Sequence, residues 1–156
     1  GKSREVLVGG SDNLLVRYAR CCNPVPGDEI TGFVTRGRGI SVHRADCVNA
    51  SIFAQDKERV IQVSWDDSQS RKFHAYITVK AGDRRGLLHE ITEVFTDAGA
   101  NVLEGTIRTE HEHVNNSFQL EVANTNQLKQ IVRRIQRIRG VESVSRTRGV
   151  SETEQQ

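Results

Sequence analysis

The chain has 156 residues, of which 36% are hydrophobic and 27% are charged, a balance typical of an ordinary soluble protein with one medium domain or two small ones. No apolar run approaches the roughly 20 residues of a membrane-spanning helix, and no signal peptide is visible at the start. The formal net charge is only +2, so binding of a polyanion would depend on local basic zones.

Cysteine usage points to a reducing compartment. The three cysteines are Cys21, Cys22 and Cys47. They are odd in number and two of them are adjacent, so they make a poor disulfide framework. We therefore expect a cytoplasmic protein whose cysteines bind metal, react as thiols or pack in a core.

The charges are distributed unevenly along the chain. Residues 17–44 hold five arginines against two acids, and residues 128–148 hold seven basic residues against a single acid, Glu142. Two basic zones on a near-neutral protein indicate a polyanionic partner that is contacted at defined patches. A solvated charged face is the plain alternative at either place.

The first half of the chain is predicted to be mostly strand. Leu14 to Ala19 alternates in polarity, "NPVPGDE" is typical of a turn, and "GRG" joins the strands "ITGFVTR" and "ISVHR" as a tight hairpin. Asp46 is placed to cap a short helix from Cys47 to Ala54, and "RVIQVSW" alternates again as a strand. We expect a small, mostly antiparallel β module with one helix.

A polar stretch without periodicity divides the chain. It reads "WDDSQSRKF" and covers residues 65–73, a composition that favours a connection over an element. We therefore assign residues 5–66 to the cysteine-containing module, 67–71 to a linker and 72–149 to a second domain. Residues 150–156 lack apolar side chains and are expected to be a disordered tail.

The second half predicts the order strand, helix, strand, strand, helix, strand. Gly99 ends the first amphipathic helix, a Thr or Asn cap starts the second, and Gly140 ends it. This is the ferredoxin-like βαββαβ order, with both helices on one face of a four-stranded antiparallel sheet. The predicted fold class is therefore α+β, a small β module followed by a ferredoxin-like domain.

One group of residues has the composition of a zinc site: Cys21, Cys22, His43 and Cys47. The adjacent cysteines are the difficulty, because neighbouring side chains on an extended strand point to opposite faces unless the chain bends. The alternatives are that the cysteines pack as small apolar residues or that one is a nucleophile beside a histidine. A nucleophile lacks a third orienting residue and a Gly-rich oxyanion turn, so we discount it.

A second candidate site lies at the turn "GDRRGLL". Gly86 is predicted to open a helix whose free amide groups can receive a carboxylate, and an apolar lining would favour a branched-chain amino acid. The turn and the start of the next strand, "GANV", can meet only if the turn at Gly99 and Ala100 lies beside the first loop, or if a second subunit brings the two segments together. The alternative is that "GDRRGLL" has only a structural role. The predicted ligand-binding residues are Asp83, Arg84, Gly86, Leu87, Leu88, Asn101 and Val102.

The motif "CCNPVPGDEITGFVTRGRGISVHRADC" closely resembles the cysteine module, called a zinc-finger or ribosome-intersubunit domain, of long RelA/SpoT-type alarmone enzymes. The following "AYITVKAGDRRGLLHEITEVFTDAGANV" resembles the ACT domain of the same proteins, and the resemblance covers about residues 5–148. It implies a parent GTP pyrophosphokinase of the bacterial stringent response, which in many members also hydrolyses (p)ppGpp. Those reactions belong to N-terminal catalytic domains, so this fragment is expected to be non-catalytic.

The resemblance also implies partners. It implies docking on large-subunit ribosomal RNA, allosteric regulation of the N-terminal catalytic domains, a small amino-acid ligand for the ACT domain and a homodimer through that domain. Zinc stays open, because the family name does not show that a metal is bound. Arginine suits phosphate through its planar fork of donors, and the candidate RNA contacts are Arg17, Arg20, Arg36, Arg38, His43, Arg44, Arg133, Arg134 and Arg137.

Two other classes of protein are weighed against this interpretation. A free-standing, amino-acid-responsive ACT regulator of an unrelated enzyme would share the second half of the chain but would lack the cysteine module. An enzyme in its own right would need paired carboxylates in a cleft or a catalytic triad, and the sequence offers neither.

Overall fold

The structure is a computed structural model that describes residues 6–8, 15–37, 39–66 and 71–147. The chain divides between Arg71 and Lys72 into two compact units. In the described ranges, the helices are all too short or too polar to cross a membrane.

The described part of the first unit consists of short strands, one α-helix and a single 3-10 turn at Lys57–Arg59. A four-stranded sheet has the order β2-β4-β3-β5, in which β4 runs parallel to β2 and antiparallel to β3, and β1 pairs separately with β6. The mostly antiparallel β module is therefore confirmed, with one parallel pair added. The elements are β1 (Val6–Val8), β2 (Leu15–Tyr18), β3 (Ile30–Val34), β4 (Gly39–Arg44), α1 (Val48–Phe53), β5 (Val60–Ile61) and β6 (Val63–Trp65).

Strand β4 is buried on both faces. Ile40 and Val42 pack against Val6 and Val63. His43 comes next in the strand and therefore points to the opposite face, where a second core cluster contains Phe33 and the three cysteines. The central strand thus carries one polar side chain, His43, into a largely apolar interior.

The helix after β4 starts differently from the prediction. Cys47 occupies the N-cap position of α1, and no side chain caps the helix there. Asp46 instead accepts a hydrogen bond from Arg44 at 2.7 Å, so the predicted cap at Asp46 is wrong. The pairing with a guanidinium two residues away competes with the helix amide groups for the same carboxylate.

The second unit has the predicted βαββαβ order. Its sheet has the order β10-β7-β9-β8 with every neighbouring pair antiparallel, and alternate residues of β7 and β9 are buried. Helices α2 and α3 pack with one apolar stripe inward, so the ferredoxin-like, α+β expectation is confirmed. The elements are β7 (Phe73–Gly82), α2 (Leu87–Asp97), β8 (Asn101–Glu110), β9 (His113–Val122), α3 (Thr125–Gln136) and β10 (Val141–Thr147).

The end of α2 agrees with the prediction, whereas the cap of α3 lies before the predicted Thr125 or Asn126 and the helix ends at Gln136, before the predicted Gly140. Asn124 caps α3, because its side chain accepts a hydrogen bond from the amide of Gln127 at 2.9 Å, and Gln127 in turn accepts from the amide of Ala123 at 2.7 Å. Gly99 follows α2 with φ 76°, a left-handed conformation in which glycine carries little steric cost.

Candidate functional site

The adjacent cysteines lie in a turn and not on a strand. Strand β2 ends at Tyr18, and the chain then closes a turn in which the amide of Asn23 donates to the carbonyl of Ala19 at 2.8 Å. In this turn the thiols of Cys21 and Cys22 are directed to the same side, with Sγ atoms 4.0 Å apart. The bend removes the geometric objection to a shared ion.

Four potential ligand atoms converge at this point. The Sγ atom of Cys21 lies 3.5 Å from Nδ1 of His43 and 3.5 Å from Sγ of Cys47, and Cys22 Sγ lies 3.8 Å from the same imidazole nitrogen. All four atoms lie within 4.8 Å of one another. A tetrahedron with zinc–sulfur bonds of about 2.3 Å has edges of about 3.8 Å, so the donor set and its spacing fit a structural zinc ion.

Apolar walls enclose the four residues. The three cysteines and His43 are all buried, between 1% and 7% exposed. The imidazole makes edge-to-face contacts with the rings of Phe33 and Phe53 at centroid distances of 5.5 and 5.4 Å. These contacts restrict rotation of the imidazole ring.

The enclosure controls protonation. Burial lowers the pKa of His43 to about 4, so the ring is neutral at physiological pH and its nitrogen is free to coordinate a metal. Burial also raises the pKa of the Cys22 thiol well above its ordinary range, and the neighbouring thiols Cys21 and Cys47 raise it further. The amide of Arg44 opposes this effect by donating to Cys22 Sγ at 3.3 Å.

The same facts argue against a catalytic thiol. A nucleophilic cysteine needs a thiolate that substrate can reach, whereas these thiols are buried and Cys22 is held protonated in the absence of a metal. A bound dication would supply the missing positive charge and stabilise the thiolates. The cluster is therefore suited to holding a metal.

The described candidate arginines of the first unit lie at separate places on its surface. Arg36 is exposed in the turn between β3 and β4, whereas Arg44 lies at the other end of β4 and pairs with Asp46. Arg17 and Arg20 are exposed on β2 and in the following turn, and Arg38 lies outside the described residues. His43 is 1% exposed, so its prediction as an RNA contact is wrong, because the side chain points into the core.

Helix α3 presents cations on its outer side. Arg133 and Arg137 are exposed and one helical turn apart, and Lys129 continues the same stripe one turn earlier. Arg134 differs, because it forms an ion pair with Asp97 of α2 at 3.0 Å. The stripe of Lys129, Arg133 and Arg137, called the α3 stripe below, is the part of this helix that suits phosphate.

Several residues of the turn before α2 have structural roles. Arg84 pairs with Glu90 and donates through Nε to the carbonyl of Arg139 at 2.9 Å, so it clamps the turn to the end of α3. Leu87 is 4% exposed and belongs to the core, whereas Leu88 is 42% exposed. Gly86 has φ 83°, so it supplies a left-handed turn before the helix.

One chain does not bring the two predicted halves of the ligand site together. Gly82, just before the turn, pairs with His113, whereas Asn101 pairs with Glu121 and thus lies beside His74. His74 and Gly82 are separated by eight strand positions, or about 26 Å at about 3.3 Å per residue. Asn101 and Val102 therefore lie at the far end of the sheet, and Asn101 donates to Glu121 at 3.1 Å.

Some site residues were missed from the sequence. The phenyl rings of Phe33 and Phe53 and the backbone amide of Arg44 contact the cysteine cluster. Neither phenylalanine was a candidate, and Arg44 was a candidate only as an RNA contact. The alternation of β3 and β4 could have placed Phe33 on the face of His43. The backbone amide of Arg44 has no sequence signal.

The chain matches two protein families, one after the other along its length. Residues 6–66 match the RelA/SpoT RIS domain and residues 69–146 match the ACT domain. The chain is 44% identical over 142 residues to a GTP pyrophosphokinase of Myxococcus xanthus, covering 90% of this chain and 18% of that protein. It is 41% identical over 142 residues to the bifunctional (p)ppGpp synthase/hydrolase RelA of Mycobacterium tuberculosis, covering 90% and 19%.

Among solved structures, the crystal structure of the ACT domain from the GTP pyrophosphokinase of Chlorobium tepidum matches with a TM-score of 0.45 and 22% identity, covering 49% of this chain and 99% of that one. The chain spans about a fifth of the length of the curated relatives it matches.

Proposed function

This chain consists of a RelA/SpoT RIS domain followed by an ACT domain and belongs to those families, and from that premise we propose that it is the non-catalytic regulatory segment of a longer cytoplasmic (p)ppGpp synthetase/hydrolase. The supporting observation is the four-residue cysteine–histidine cluster, whose burial and protonation suit a structural centre and not catalysis. A free-standing ACT regulator would lack the RIS domain.

The segment docks on the ribosome by binding large-subunit ribosomal RNA. Arg17, Arg20 and Arg36 are exposed in the RIS domain, and the α3 stripe adds cations in the ACT domain. Guanidinium groups donate pairs of hydrogen bonds to phosphate and are held here on folded elements. Co-sedimentation of the 156-residue chain with ribosomes tests the docking. Unchanged binding after these charges are reversed would contradict it.

Zinc is the metal that best fits Cys21, Cys22, His43 and Cys47. The donor atoms are those zinc prefers, and four protein ligands leave no open position for a substrate. The ion would cross-link the turn after β2, the C-terminal end of β4 and the start of α1. The N–H of Arg44 would hold the Cys22 sulfur as an outer hydrogen-bond donor.

The ACT domain senses a small amino acid and passes that state to the catalytic domains of the parent protein. In a single chain the residues that can take part are those of the turn, with Asp83 for an ammonium group and Leu88 for an aliphatic side chain, since both are exposed. Branched aliphatic side chains are favoured because the nearby first helical turn is apolar. Calorimetric titration of the chain with valine, isoleucine, leucine and serine tests this part.

A further inference from the structure

Two thiols of the cysteine cluster lie nearly in contact, although they come from distant parts of the chain. The Sγ atom of Cys21, in the turn after β2, lies 3.5 Å from the Sγ atom of Cys47, at the start of α1. Both residues are free cysteines. Because a disulfide has a sulfur–sulfur distance of about 2.05 Å, a movement of about 1.5 Å would bring the two sulfurs to bonding distance.

We propose that Cys21 and Cys47 form a reversible disulfide when the chain meets hydrogen peroxide, and that this disulfide and a bound metal ion exclude each other. The exclusion rests on the metal site proposed above, whereas the disulfide does not. Disulfides in a reducing compartment are mostly transient and respond to oxidants, so the site would report peroxide to the rest of the parent protein.

The oxidation proceeds in two steps. The sulfur of one thiol attacks an oxygen of the peroxide, the O–O bond breaks, and the products are a sulfenic acid and a water molecule. The sulfur of the other thiol then attacks the sulfenic sulfur, so that the S–S bond forms, the S–O bond breaks and the oxygen leaves as a second water. The two thiols thus give two electrons and two protons to one peroxide. Exchange with two molecules of a small thiol such as glutathione reverses the reaction, and the glutathione leaves as its own disulfide.

Geometry disfavours the other pairings of the three cysteines. Cys21 and Cys22 are adjacent, so their Cα atoms lie about 3.8 Å apart across a trans peptide, less than the usual separation of about 4.4–6.8 Å in a disulfide. Cys22 is held toward β4, because its sulfur accepts the amide hydrogen of Arg44 at 3.3 Å and lies 3.8 Å from Nδ1 of His43. Movement of Cys22 toward Cys47 would break that hydrogen bond.

The thiols are buried, but they lie just below the surface. Cys21 is 3% and Cys47 is 7% exposed, whereas their chain neighbours Arg20, Asp46 and Val48 are exposed. Local opening of a turn or of a helix end is enough to uncover side chains in such positions. Hydrogen peroxide is little larger than water and needs no binding pocket, so this modification differs from the catalysis that burial argues against.

The disulfide and the metal ion would cross-link the same unit in different ways. The disulfide removes Cys21 and Cys47 from the four potential ligands, which leaves Cys22 and His43. Two protein ligands are too few for structural zinc, which takes four. The covalent bond still joins the turn after β2 to the start of α1, so the oxidised unit should remain folded without a metal ion.

Thiol counting and peptide mapping of the chelator-treated 156-residue chain test the disulfide without any metal. We expect hydrogen peroxide to lower the number of free thiols from three to one per chain, with a peptide containing Cys21 joined to one containing Cys47, and dithiothreitol to restore all three. Cys22→Ser should still form this disulfide, because a hydroxyl group can also accept the amide hydrogen of Arg44. Cys21→Ser and Cys47→Ser should not form it.

Oxidation in urea is the control for the role of the fold. In the unfolded chain, Cys21 and Cys22 should pair with Cys47 about equally, since the two loops differ in length by a single residue. In the folded chain, the preference for Cys21 should be at least about tenfold, because access and position decide which sulfur reacts.

Zinc ions alone are the probe for the exclusion. The reduced chain should bind zinc and release it in step with the loss of thiols, as followed with a chromogenic chelator, and the oxidised chain should bind none until it is reduced. A chain that binds no zinc in either state would refute the exclusion together with the metal site, while the thiol count still decides the disulfide. An unchanged thiol count, a disulfide between two chains, equal use of Cys21 and Cys22 in the folded chain, or zinc binding that survives oxidation would overturn the proposal.

Discussion

The Sγ atom of Cys21 lies 3.5 Å from Nδ1 of His43, although 22 positions separate the two residues in the chain. The contact joins the turn after β2 to the C-terminal end of β4, and Cys47 adds the start of α1 at the same point. Three chain segments of a small β unit thus meet at one polar cluster. A metal ion there would stabilise all three segments together.

The first prediction concerns metal content. We expect about one zinc ion per chain when the protein is purified without chelator, measured by elemental analysis. Removal of the ion should lower the melting temperature of the first unit strongly, because structural zinc contributes roughly 10–16 kcal/mol in small domains. Cys47→Ser should lose the ion, since it replaces a thiolate by a poor zinc ligand.

The matched control for metal content is Ala19→Ser. Ala19 is buried in the same cluster as the cysteines but offers no ligand atom in the native chain, so its variant should keep the metal even if it is less stable. A metal-free protein with an undiminished melting temperature would count against the site, and the cysteines would then be core residues.

The second prediction concerns the amino-acid ligand. We expect valine or isoleucine to bind more tightly than serine, because Leu88 offers an apolar contact beside the first helical turn. Leu88→Asp should weaken binding by tenfold or more while α2 stays folded, since the residue is 42% exposed. Isothermal titration calorimetry measures the effect, and Ile52→Asp, at an exposed apolar residue of the first unit, is the control.

Substitution of Gly86 is a poor test of the same site. The residue has φ 83°, and a Cβ atom there would meet nothing within 4 Å. Valine would therefore be strained by the backbone at a cost of about 1–2 kcal/mol, so a loss of binding in this variant would not distinguish a blocked ligand contact from a distorted turn.

The hydrophobic pattern of the sequence was enough to predict the order of strands and helices in the second unit. The apolar stripe of α3 and Gly99 after α2 agree with the structure, because an amphipathic helix on an alternating sheet leaves few other arrangements. The cap of α3 was predicted one or two residues too late, at Thr125 or Asn126, because three neighbouring residues all have side chains that can cap a helix. The placement of Asn101 was harder. Residues close in sequence to the end of α2 begin β8 at the end of the sheet opposite the turn before α2, and only the pairing of whole strands reveals that distance.

The cysteine cluster was predicted in composition but not in geometry. Residue types alone suggested zinc, while the adjacency of Cys21 and Cys22 argued against it as long as both were placed on a strand. The chain turn that reconciles them includes Asn23 at φ 48°, a conformation that asparagine tolerates better than most residues. Hydrophobic periodicity does not predict such a turn, so the convergence of the two thiols on one side could not be predicted from the sequence.

The third prediction concerns RNA. Arg36→Glu should weaken ribosome co-sedimentation and reduce the slope of log affinity against log salt by about 1, because one phosphate contact is lost. Arg133→Glu should act in the same direction if the α3 stripe also contacts RNA. Lys57→Glu reverses an exposed cation outside both candidate surfaces and is the matched control. Equal weakening by all three variants would indicate a general charge effect and contradict a defined surface.

The fourth prediction is a pH dependence of the metal-free chain. The imidazole of His43 has a pKa of 6.5 when unfolded and about 4 when folded, because burial disfavours the charged ring. Between these values the unfolded chain binds a proton that the folded chain does not, so the free energy of unfolding falls as pH is lowered. The loss should approach about 3 kcal/mol by pH 4 and should be absent above pH 7.

Urea unfolding of the chelator-treated protein at pH 7, 6, 5 and 4 measures this loss, with a probe in the first unit such as Trp65 fluorescence. His43→Leu should abolish the part of the pH dependence that comes from burial of the ring. His89→Leu is the control, because its side chain is 80% exposed and its removal should leave the dependence unchanged. A metal-free chain equally stable at pH 7 and pH 4 would mean that the ring of His43 reaches solvent, and the enclosed cluster described above would be wrong.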